Sequence, residues 1–336
     1  MLGDSKDMNR TDEIQYKAFV LEEIRNFFKT KGIPEVRYNQ FSFAGSCESA
    51  PTTYWLDKEN QFLMLPQTRQ IMAEEDLIRN GVDAVWLMQT SYRDEPKVGD
   101  GRHCNQFLLC ELEQQRMSQA ELVDFEEEMT KYMINKALTF FQSHPIVTKA
   151  TIARLRKTVE VKFPRVTYTE VIKMLQEHGV SVNWGEDFSS VEEQFICGMF
   201  EDIPIPVAVM DYPEKLKYFN MYEKRDENFR KQNAVVECCD LLLPFAGETF
   251  GSSRREVVGE YIRHRFQNGT MYRQLKERLM SRPDVVGVLK AEKIIADAFE
   301  PYFKLFDKEP HDRAGFGMGV GRLAQFLLGS TRIVEI

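Results

Sequence analysis

The chain has 336 residues, of which 43% are hydrophobic and 29% are charged. These values suit a soluble protein with a large core, and we expect one domain over residues 1–336, because no repeat or low-complexity linker interrupts it. No apolar run approaches the ~20 residues of a membrane span, and the first residues lack a signal sequence, which favours a cytoplasmic location. The net charge of −8 argues modestly against nucleic acid as a partner.

Periodicity in chain order predicts an α+β fold. A helical pattern over 11–31 stops at Gly32, a residue type that commonly follows a helix. Strand-like runs are expected at 34–43, 61–65, 84–92, 104–113, 204–210 and 235–245. Further helical patterns lie at 117–142, 254–266, 270–280, 288–299 and 319–329. Because the strands are grouped among helices without regular βαβ alternation, we expect an antiparallel sheet with helices packed on it.

Three side-chain types allow simple structural predictions. The six cysteines include no C-x-x-C pair and the five histidines are scattered, so we expect reduced, mostly buried thiols and no zinc site. The acidic run Glu126–Glu128 is most simply a solvated helix face.

The segment from Ser91 to Glu113 is typical of a strand, a polar loop and a second strand. Arg93, Arg102 and His103 at the ends of such a hairpin can clamp phosphates, because guanidinium groups suit phosphate oxygens. Phe107 can offer a stacking face to a purine. A solvated hairpin with surface ion pairs is an equally good interpretation of the residues alone.

A second segment, GFGMGVGR, ends at Arg322 and runs into an apolar helix. Small residues at every second position allow close approach of a ligand or another backbone. An arginine near a helix start is well placed for phosphate, although a tight strand–helix turn fits the pattern equally well. Neither a Walker-type loop nor a G-x-G-x-x-G loop after a strand occurs.

Together the two segments resemble motifs 2 and 3 of the class II aminoacyl-tRNA synthetases, in the same order and with motif 3 near the C-terminus. Further segments are similar to the asparaginyl/aspartyl branch of that family, so that the resemblance runs from about residue 13 to the end. These segments are Ser46–Ala50, Gln67–Glu74, Phe163–Ile172, Asp211–Met221 and Asp240–Glu256. The resemblance implies a class II catalytic domain and an ATP-dependent, AMP-forming ligase.

For ATP, the resemblance implies one role for each matching residue. Arg93 would hold the α-phosphate and the substrate carboxylate, and Glu95 would accept a hydrogen bond from the adenine amino group. Arg102 and His103 would meet the outer phosphates, and Phe107 would stack on adenine.

The other end of the ATP site would come from motif 3 and the segment before it. Gly319 and Arg322 would complete the ATP site, with Arg322 against the other face of adenine and the γ-phosphate. Arg93 and Arg322 would be the catalytic cations. The resemblance also implies Mg²⁺ as a cofactor, held by Glu111 and Glu248.

The resemblance implies an amino-acid substrate of the Asp/Asn type. Glu48 and Gln70 would bind its α-ammonium group together with Arg93 at its carboxylate, and Arg255 would bind the polar end of its side chain. Aspartate-specific relatives have a lysine at the position of Ala73, so the pocket is closer to an asparagine pocket.

Some residues depart from the family pattern. Asn39 replaces a proline that lies at the family's dimer interface, Gln106 replaces a glutamate, and Gly321 replaces an acidic residue. Arg313 stands where the family has a histidine. We still expect a homodimer.

The acceptor of the activated acyl group is open to three hypotheses. Asparaginyl and aspartyl synthetases carry an anticodon-binding barrel before the catalytic helix, and this sequence has only about a dozen residues there. The first hypothesis is therefore an amide ligase, similar to related asparagine synthetases, that passes the acyl group to ammonia or an amine. The second is a minimal synthetase that charges or modifies tRNA, and the third is a non-catalytic nucleotide-binding paralogue.

Overall fold

The computed structural model describes residues 8–39, 53–58, 61–94, 104–225, 234–307 and 309–336. In these ranges the helices are α1 (Arg10–Lys31), α2 (Gln70–Asn80), α3 (Gln119–Ser143), α4 (Lys149–Glu160), α5 (Tyr168–Glu177), α6 (Ser190–Cys197), α7 (Gly259–Asn268), α8 (Thr270–Met280), α9 (Val288–Phe303) and α10 (Val320–Leu328). The strands are β1 (Trp55–Lys58), β2 (Gln61–Met64), β3 (Ala84–Tyr92), β4 (Gln106–Gln115), β5 (Arg165–Thr167), β6 (Val207–Met210), β7 (Cys238–Leu243), β8 (Gly247–Arg254) and β9 (Arg313–Gly319).

The main sheet has the strand order β3-β4-β9-β8-β7-β6-β5. Adjacent strands of this sheet are antiparallel, except that β5 and β6 are parallel. β1 and β2 form a separate antiparallel pair. The predicted α+β architecture with an antiparallel sheet is therefore confirmed.

The two faces of the sheet have different roles, because successive side chains of a strand point to opposite faces. Trp86, Cys110 and Phe316 lie on the face that packs against α1, α3 and α10 in the largest apolar core. Glu111 and Glu113 lie on the other face, where β9 presents glycines opposite them. Helices thus fill one side of the sheet and leave room for a ligand on the other.

Several predicted elements occur close to their expected positions. The helix predicted at 11–31 is α1, and Gly32 follows it in the left-handed conformation with φ 68°. The helices predicted at 117–142 and 270–280 are α3 and α8. The expected strand at 84–92 is β3. Periodicity therefore predicts these elements well, because each of them buries apolar side chains at regular spacing.

The strand predicted at 34–43 is wrong over its described part, 34–39. Val36 N donates to Trp86 O at 2.8 Å, but the next backbone donor, Tyr38 N, binds the Gln89 side chain at 2.8 Å. The ladder stops there because a side-chain amide has replaced a backbone partner, leaving one isolated bridge between Glu35 and Trp86. The helix predicted at 254–266 is also wrong at its start, since Arg254 ends β8 and α7 begins at Gly259.

The prediction of a solvated acidic face on α3 is wrong for two of its three residues. Glu126 is fully buried and Glu127 nearly so, whereas Glu128 is exposed and pairs with Lys31. In the described part of the chain neither Glu126 oxygen has a hydrogen-bond partner, because the nearby Ser252 hydroxyl donates to the Cys239 carbonyl instead. Burial raises the pKa of Glu126 to about 8.

The cysteine prediction is confirmed for the described residues. Cys110, Cys197, Cys238 and Cys239 are buried free thiols, and Cys104 is half-buried. Cys47 lies outside the described ranges. None of the helices in those ranges is both long and apolar enough to cross a membrane.

Candidate active site

A cavity of about 920 Å³ lies on the open face of the sheet. It brings together all the predicted site residues that the structure describes: Gln70, Arg93, Phe107, Glu111, Glu248, Arg255, Gly319 and Arg322. The remaining predicted residues, Glu48, Glu95, Arg102 and His103, lie outside the described ranges. Residues more than 250 positions apart in sequence therefore meet in one space.

One end of the cavity combines an aromatic ring with a cation. Phe107 is paired across the β3–β4 hairpin with Ser91, and Arg93 N donates to Asn105 O at 2.9 Å. The Arg93 guanidinium carbon lies 4.9 Å from the centroid of the Phe107 ring, which is cation–π geometry. This end of the cavity offers a flat ring for a base and a fork of donors for phosphate or carboxylate oxygens.

Arg322 reaches the same space from the first turn of α10. Its Nη1 donates to the backbone carbonyl of Glu248 on β8, which holds the side chain along the strand end. A Cβ at Gly319 would lie 3.6 Å from the Arg322 stem, so the two residues are in van der Waals range. A cation near the start of a helix is a favourable place for an anionic ligand.

The departure from the family pattern at Gly321 has a structural explanation. A Cβ at this position would collide with the backbone carbonyl of Val334, and Ile333 lines the cavity. The segment after α10 thus passes over Gly321 too closely for any side chain. The acidic residue of the family has no room here.

Glu111 is buried on β4, the second strand of the sheet, and is fixed by the two residues that precede α2. Its carboxylate accepts hydrogen bonds from the Thr68 hydroxyl and from the backbone N of Arg69, the latter at 3.1 Å to Oε2. Burial raises the pKa of this carboxyl group. Gln70 begins the helix, and its Nε2 would lie 3.7 Å from a Cβ at Gly317, so the amide lies over β9 inside the cavity.

At the opposite end of the cavity, Arg255 is buried in a bidentate ion pair with Glu113. Arg255 Nε lies 3.2 Å from Glu113 Oε2, Nη2 donates to Oε1, and Nη1 donates to Ser253 Oγ at 2.7 Å. Although burial alone would lower it, the pKa of Arg255 is raised by the Glu113 carboxylate. A Cβ at Gly315 would collide with the Glu113 side chain, so the glycine makes this pair possible.

A second buried ion pair lies directly behind the first. The Glu74 carboxylate on α2 accepts hydrogen bonds from Arg313 Nε at 2.8 Å, from the Tyr302 hydroxyl at 3.0 Å and from Asn220 Nδ2 at 2.9 Å. Arg313, which stands where the family has a histidine, is fully buried. The two carboxylates and two guanidinium groups sum to zero, so this end of the cavity is electrically balanced.

The cavity also has charged residues to which the sequence assigned no role. Lys217 Nζ lies 2.6 Å from both Asp240 oxygens and 4.0 Å from the centroid of the Tyr212 ring. Burial opposes the charge of Lys217, but Asp240 raises its pKa, so the amine stays protonated. Asp187 and Glu248 line the cavity beside this pair. Lys217 and Asp240 lie in segments that resemble the family, but a pair 23 residues apart has no readable spacing.

No three His, Cys, Asp or Glu side chains converge on a possible metal position within the described ranges. The two carboxylates that the sequence assigned to Mg²⁺ come from different strands, Glu111 from β4 and Glu248 from the start of β8.

The family is decided by comparison with known proteins. A family model described as class II tRNA synthetases (D, K and N) matches residues 4–336. The chain belongs to this family.

The chain is similar to several asparagine–tRNA ligases. That of Pyrococcus furiosus is 30% identical over 285 residues, which is 84% of this chain and 58% of the relative. That of Thermococcus kodakarensis is 28% identical over 318 residues, covering 94% of this chain and 65% of the relative. The chain therefore spans about three fifths of the length of these relatives.

Solved structures agree on the fold. The asparaginyl-tRNA synthetase of Pyrococcus horikoshii, complexed with asparaginyl-adenylate, has a TM-score of 0.78 and 26% identity, over 96% of this chain and 66% of that one. The aspartyl tRNA synthetase of Entamoeba histolytica has a TM-score of 0.68 at 15% identity, covering 96% of this chain and 56% of that one, a likeness of fold alone. The class II synthetase fold is thus shared along nearly the whole chain.

Proposed function

We propose that the chain uses ATP to activate asparagine as an aminoacyl-adenylate and then transfers the asparaginyl group to tRNA. The observation that carries this proposal is the single cavity that joins Arg93, Phe107 and Arg322 with the charge-balanced Arg255–Glu113 pair. The names of the relatives, asparagine–tRNA ligases, support the same amino acid and acceptor.

The activation step needs positioning and cations rather than a protein nucleophile. A carboxylate oxygen of the amino acid attacks the α-phosphorus of ATP, forming a new P–O bond, while the bond to pyrophosphate breaks and takes the electron pair. Arg93, at the meeting point of the two substrates, would orient the carboxylate and the α-phosphate for in-line attack. Arg322 would stabilise the charge that grows on the leaving phosphates.

Of the two residues predicted to hold Mg²⁺, one is suited to the ion. Glu248 is a half-buried carboxylate on the cavity wall, and Mg²⁺ usually takes one or two protein carboxylates together with phosphate oxygens and water. Glu111 is less suited, because Thr68 and Arg69 already bind its oxygens. Bound with ATP, the ion would neutralise phosphate charge, and Glu248 would fix its place.

The amide of asparagine matches the balanced end of the cavity. Arg255 can donate to the amide oxygen with the N–H groups that Glu113 and Ser253 do not use, while the paired charges leave no excess cation for a carboxylate. Aspartate would bring an uncompensated charge, which costs several kcal/mol in a buried site. The buried Ala73, on the helix that carries Gln70, adds no cation.

tRNA replaces ammonia or an amine as the acceptor in this proposal. The amide-ligase hypothesis has no support among the relatives reported above, all of which are asparagine–tRNA ligases or tRNA synthetases. The homodimer remains a prediction.

The acceptor is tested by supplying the protein with ATP, Mg²⁺ and radiolabelled asparagine, with either total tRNA or ammonium and small amines. We expect acid-precipitable, alkali-labile asparaginyl-RNA and no amine-dependent release of AMP. AMP release that depends on the amine, without RNA charging, would contradict transfer to tRNA while leaving activation intact. The absence of ATP–pyrophosphate exchange with any amino acid would instead favour the nucleotide-binding paralogue.

A further inference from the structure

The segment that follows α10 folds back along that helix. Gly329 ends α10 in the left-handed conformation, with φ 68°, and the backbone N of Ser330 donates to Gln325 O at 3.1 Å. By Val334 the chain has returned to Gly321, where an added Cβ would collide with the Val334 carbonyl. Gly321 and Gly329 are eight residues apart on the helix, or about 12 Å, so the segment runs antiparallel to α10.

Side chains of this segment alternate between two surroundings. Val334 and Ile336, two residues apart, pack on the largest apolar core. Ile333 instead lines the cavity, and its Cγ1 would lie 3.4 Å from a Cβ at Gly321. An extended chain produces such alternation, because successive side chains point to opposite sides. The core contacts of Val334 and Ile336 thus hold Ile333 in the cavity wall.

Ile333 enters the cavity at the end where the proposed function places ATP. Gly319 on β9 pairs with Leu109 on β4, and Phe107 lies two residues farther along β4 on the same face. Arg322 packs beside Gly319, with 3.6 Å between its stem and an added Cβ. Phe107, Arg322 and Ile333 therefore all lie where β9 passes into α10.

The amino-acid end of the cavity is at the other end of the same strands. Glu113, the partner of Arg255, is six residues from Phe107 on β4, which corresponds to about 20 Å at about 3.3 Å per residue. Ile333 is thus placed to contact the nucleotide and not the side chain of the amino acid.

We propose that residues 330–336 form a wall of the nucleotide end of the cavity, in which Ile333 contacts the nucleoside of ATP. This inference rests on the proposed use of ATP and adds a binding residue that lies after motif 3. Phe107 and Arg322 offer surfaces for the two faces of adenine. The side chain of Ile333 has no polar atom, so it contacts C–H groups of the base or ribose and gives no hydrogen bond to phosphate.

This wall lies where the family has an acidic side chain and this chain has none. An acidic side chain at position 321 and the returning segment would exclude each other here, because the Val334 carbonyl takes the space. Beside Arg322 the cavity therefore has an apolar surface from Ile333 and lacks a negative charge. The absence of that charge favours a polyanionic ligand such as a triphosphate.

The test compares Ile333→Ala with the matched control Ile336→Ala. Both isoleucines are half-buried in the same segment, but Ile333 lines the cavity and Ile336 packs on the core. Equilibrium dialysis with radiolabelled ATP and Mg²⁺ measures nucleotide binding, and inorganic tripolyphosphate is a competitor without a nucleoside. We expect Ile333→Ala to raise the Kd for ATP about tenfold, since it removes three partly buried carbon atoms, and to leave tripolyphosphate inhibition unchanged. Ile336→Ala should bind both like the wild type.

Gly321→Ala tests the returning segment by a second route. The added methyl group would displace the Val334 carbonyl and Ile333 with it, although alanine is otherwise favoured over glycine in a helix. We expect a similar loss of ATP affinity. The double variant with Ile333→Ala should lose little more, because both changes remove the same contact.

Wild-type ATP affinity in Ile333→Ala would overturn the wall. So would an equal loss of ATP affinity in Ile336→Ala, an equal weakening of tripolyphosphate inhibition in Ile333→Ala, or full additivity in the double variant. In ATP–pyrophosphate exchange, Ile333→Ala should raise the KM for ATP and leave the KM for asparagine unchanged.

The same measurements keep this inference apart from the proposed function. Exchange with asparagine by the wild type, together with wild-type ATP affinity in Ile333→Ala, defeats the wall alone. ATP binding that depends on Ile333, without exchange for any amino acid, defeats the activation step alone. A wild type that binds no ATP overturns both.

Discussion

Arg255 and Glu113 cancel each other's charge at the end of the cavity where the substrate side chain is expected. The pair is fully buried, so a change in one partner leaves the other charge uncompensated. Glu113→Gln keeps the size of the side chain but leaves Arg255 with an excess positive charge. We therefore expect the ratio of asparagine to aspartate exchange to fall at least about tenfold, which corresponds to about 1.4 kcal/mol.

Glu74→Gln is the matched control for this prediction. It also removes one buried carboxylate, but the partner Arg313 does not line the cavity. We expect a lower melting temperature in both variants and a changed substrate ratio only in Glu113→Gln. An equal change in both ratios would contradict the assignment of Arg255 to the substrate side chain.

Arg322 is expected to act on the leaving phosphates. Arg322→Ala should lower the rate of ATP–pyrophosphate exchange at least about hundredfold, because a donor aimed at developing charge contributes about 3 kcal/mol or more. Arg156→Ala, at an exposed position of α4, is a control for removal of a surface arginine. Circular dichroism shows whether the fold is intact; a folded Arg322→Ala protein with wild-type exchange would contradict this role.

At the scale of elements, the sequence predicted what depends on local pattern. The helix that stops before Gly32 and the hairpin of β3 and β4 follow from the spacing of apolar residues and from the glycine and polar residues that end each run. α5 was missed although Thr167 and Glu170 form a capping box, a signal that can be read from sequence. The burial of Glu126 could not be read in this way, because it depends on a helix and strands far apart in the chain.

Glu126 on α3 gives a pH dependence to stability. Its folded-state pKa of about 8 lies above the ordinary value of about 4.3, so the native state binds more protons than the unfolded state between these pH values. Its contribution to stability is present below about pH 4.3 and is lost as the pH rises through about 8. We expect Glu126→Gln to be more stable than the wild type at pH 9, by a few kcal/mol, and similar to it near pH 5.

Urea unfolding at the two pH values measures this difference. Glu128→Gln, on the same helix but exposed, is the control and should follow the wild type at both pH values. If the urea midpoint changes equally with pH in Glu126→Gln and in the wild type, the buried, protonated state of Glu126 is contradicted.

At the scale of the whole molecule, the cavity depends on long-range assembly. The motif residues were predictable because Arg93, Phe107 and Arg322 lie in recognisable patterns, and the structure brings them together in one cavity. The partners that fix the site were not predictable. Glu113 with Arg255, and Lys217 with Asp240, are paired by the sheet and a loop rather than by spacing.

The most direct test of the central claim is ATP–pyrophosphate exchange by the wild-type protein, scanned over the twenty amino acids with Mg²⁺ present. We predict exchange with asparagine, and exchange with aspartate at least about a hundredfold lower, because an uncompensated charge in the balanced end of the cavity costs about 3 kcal/mol or more. Exchange with no amino acid, or a preference for aspartate, would contradict the account.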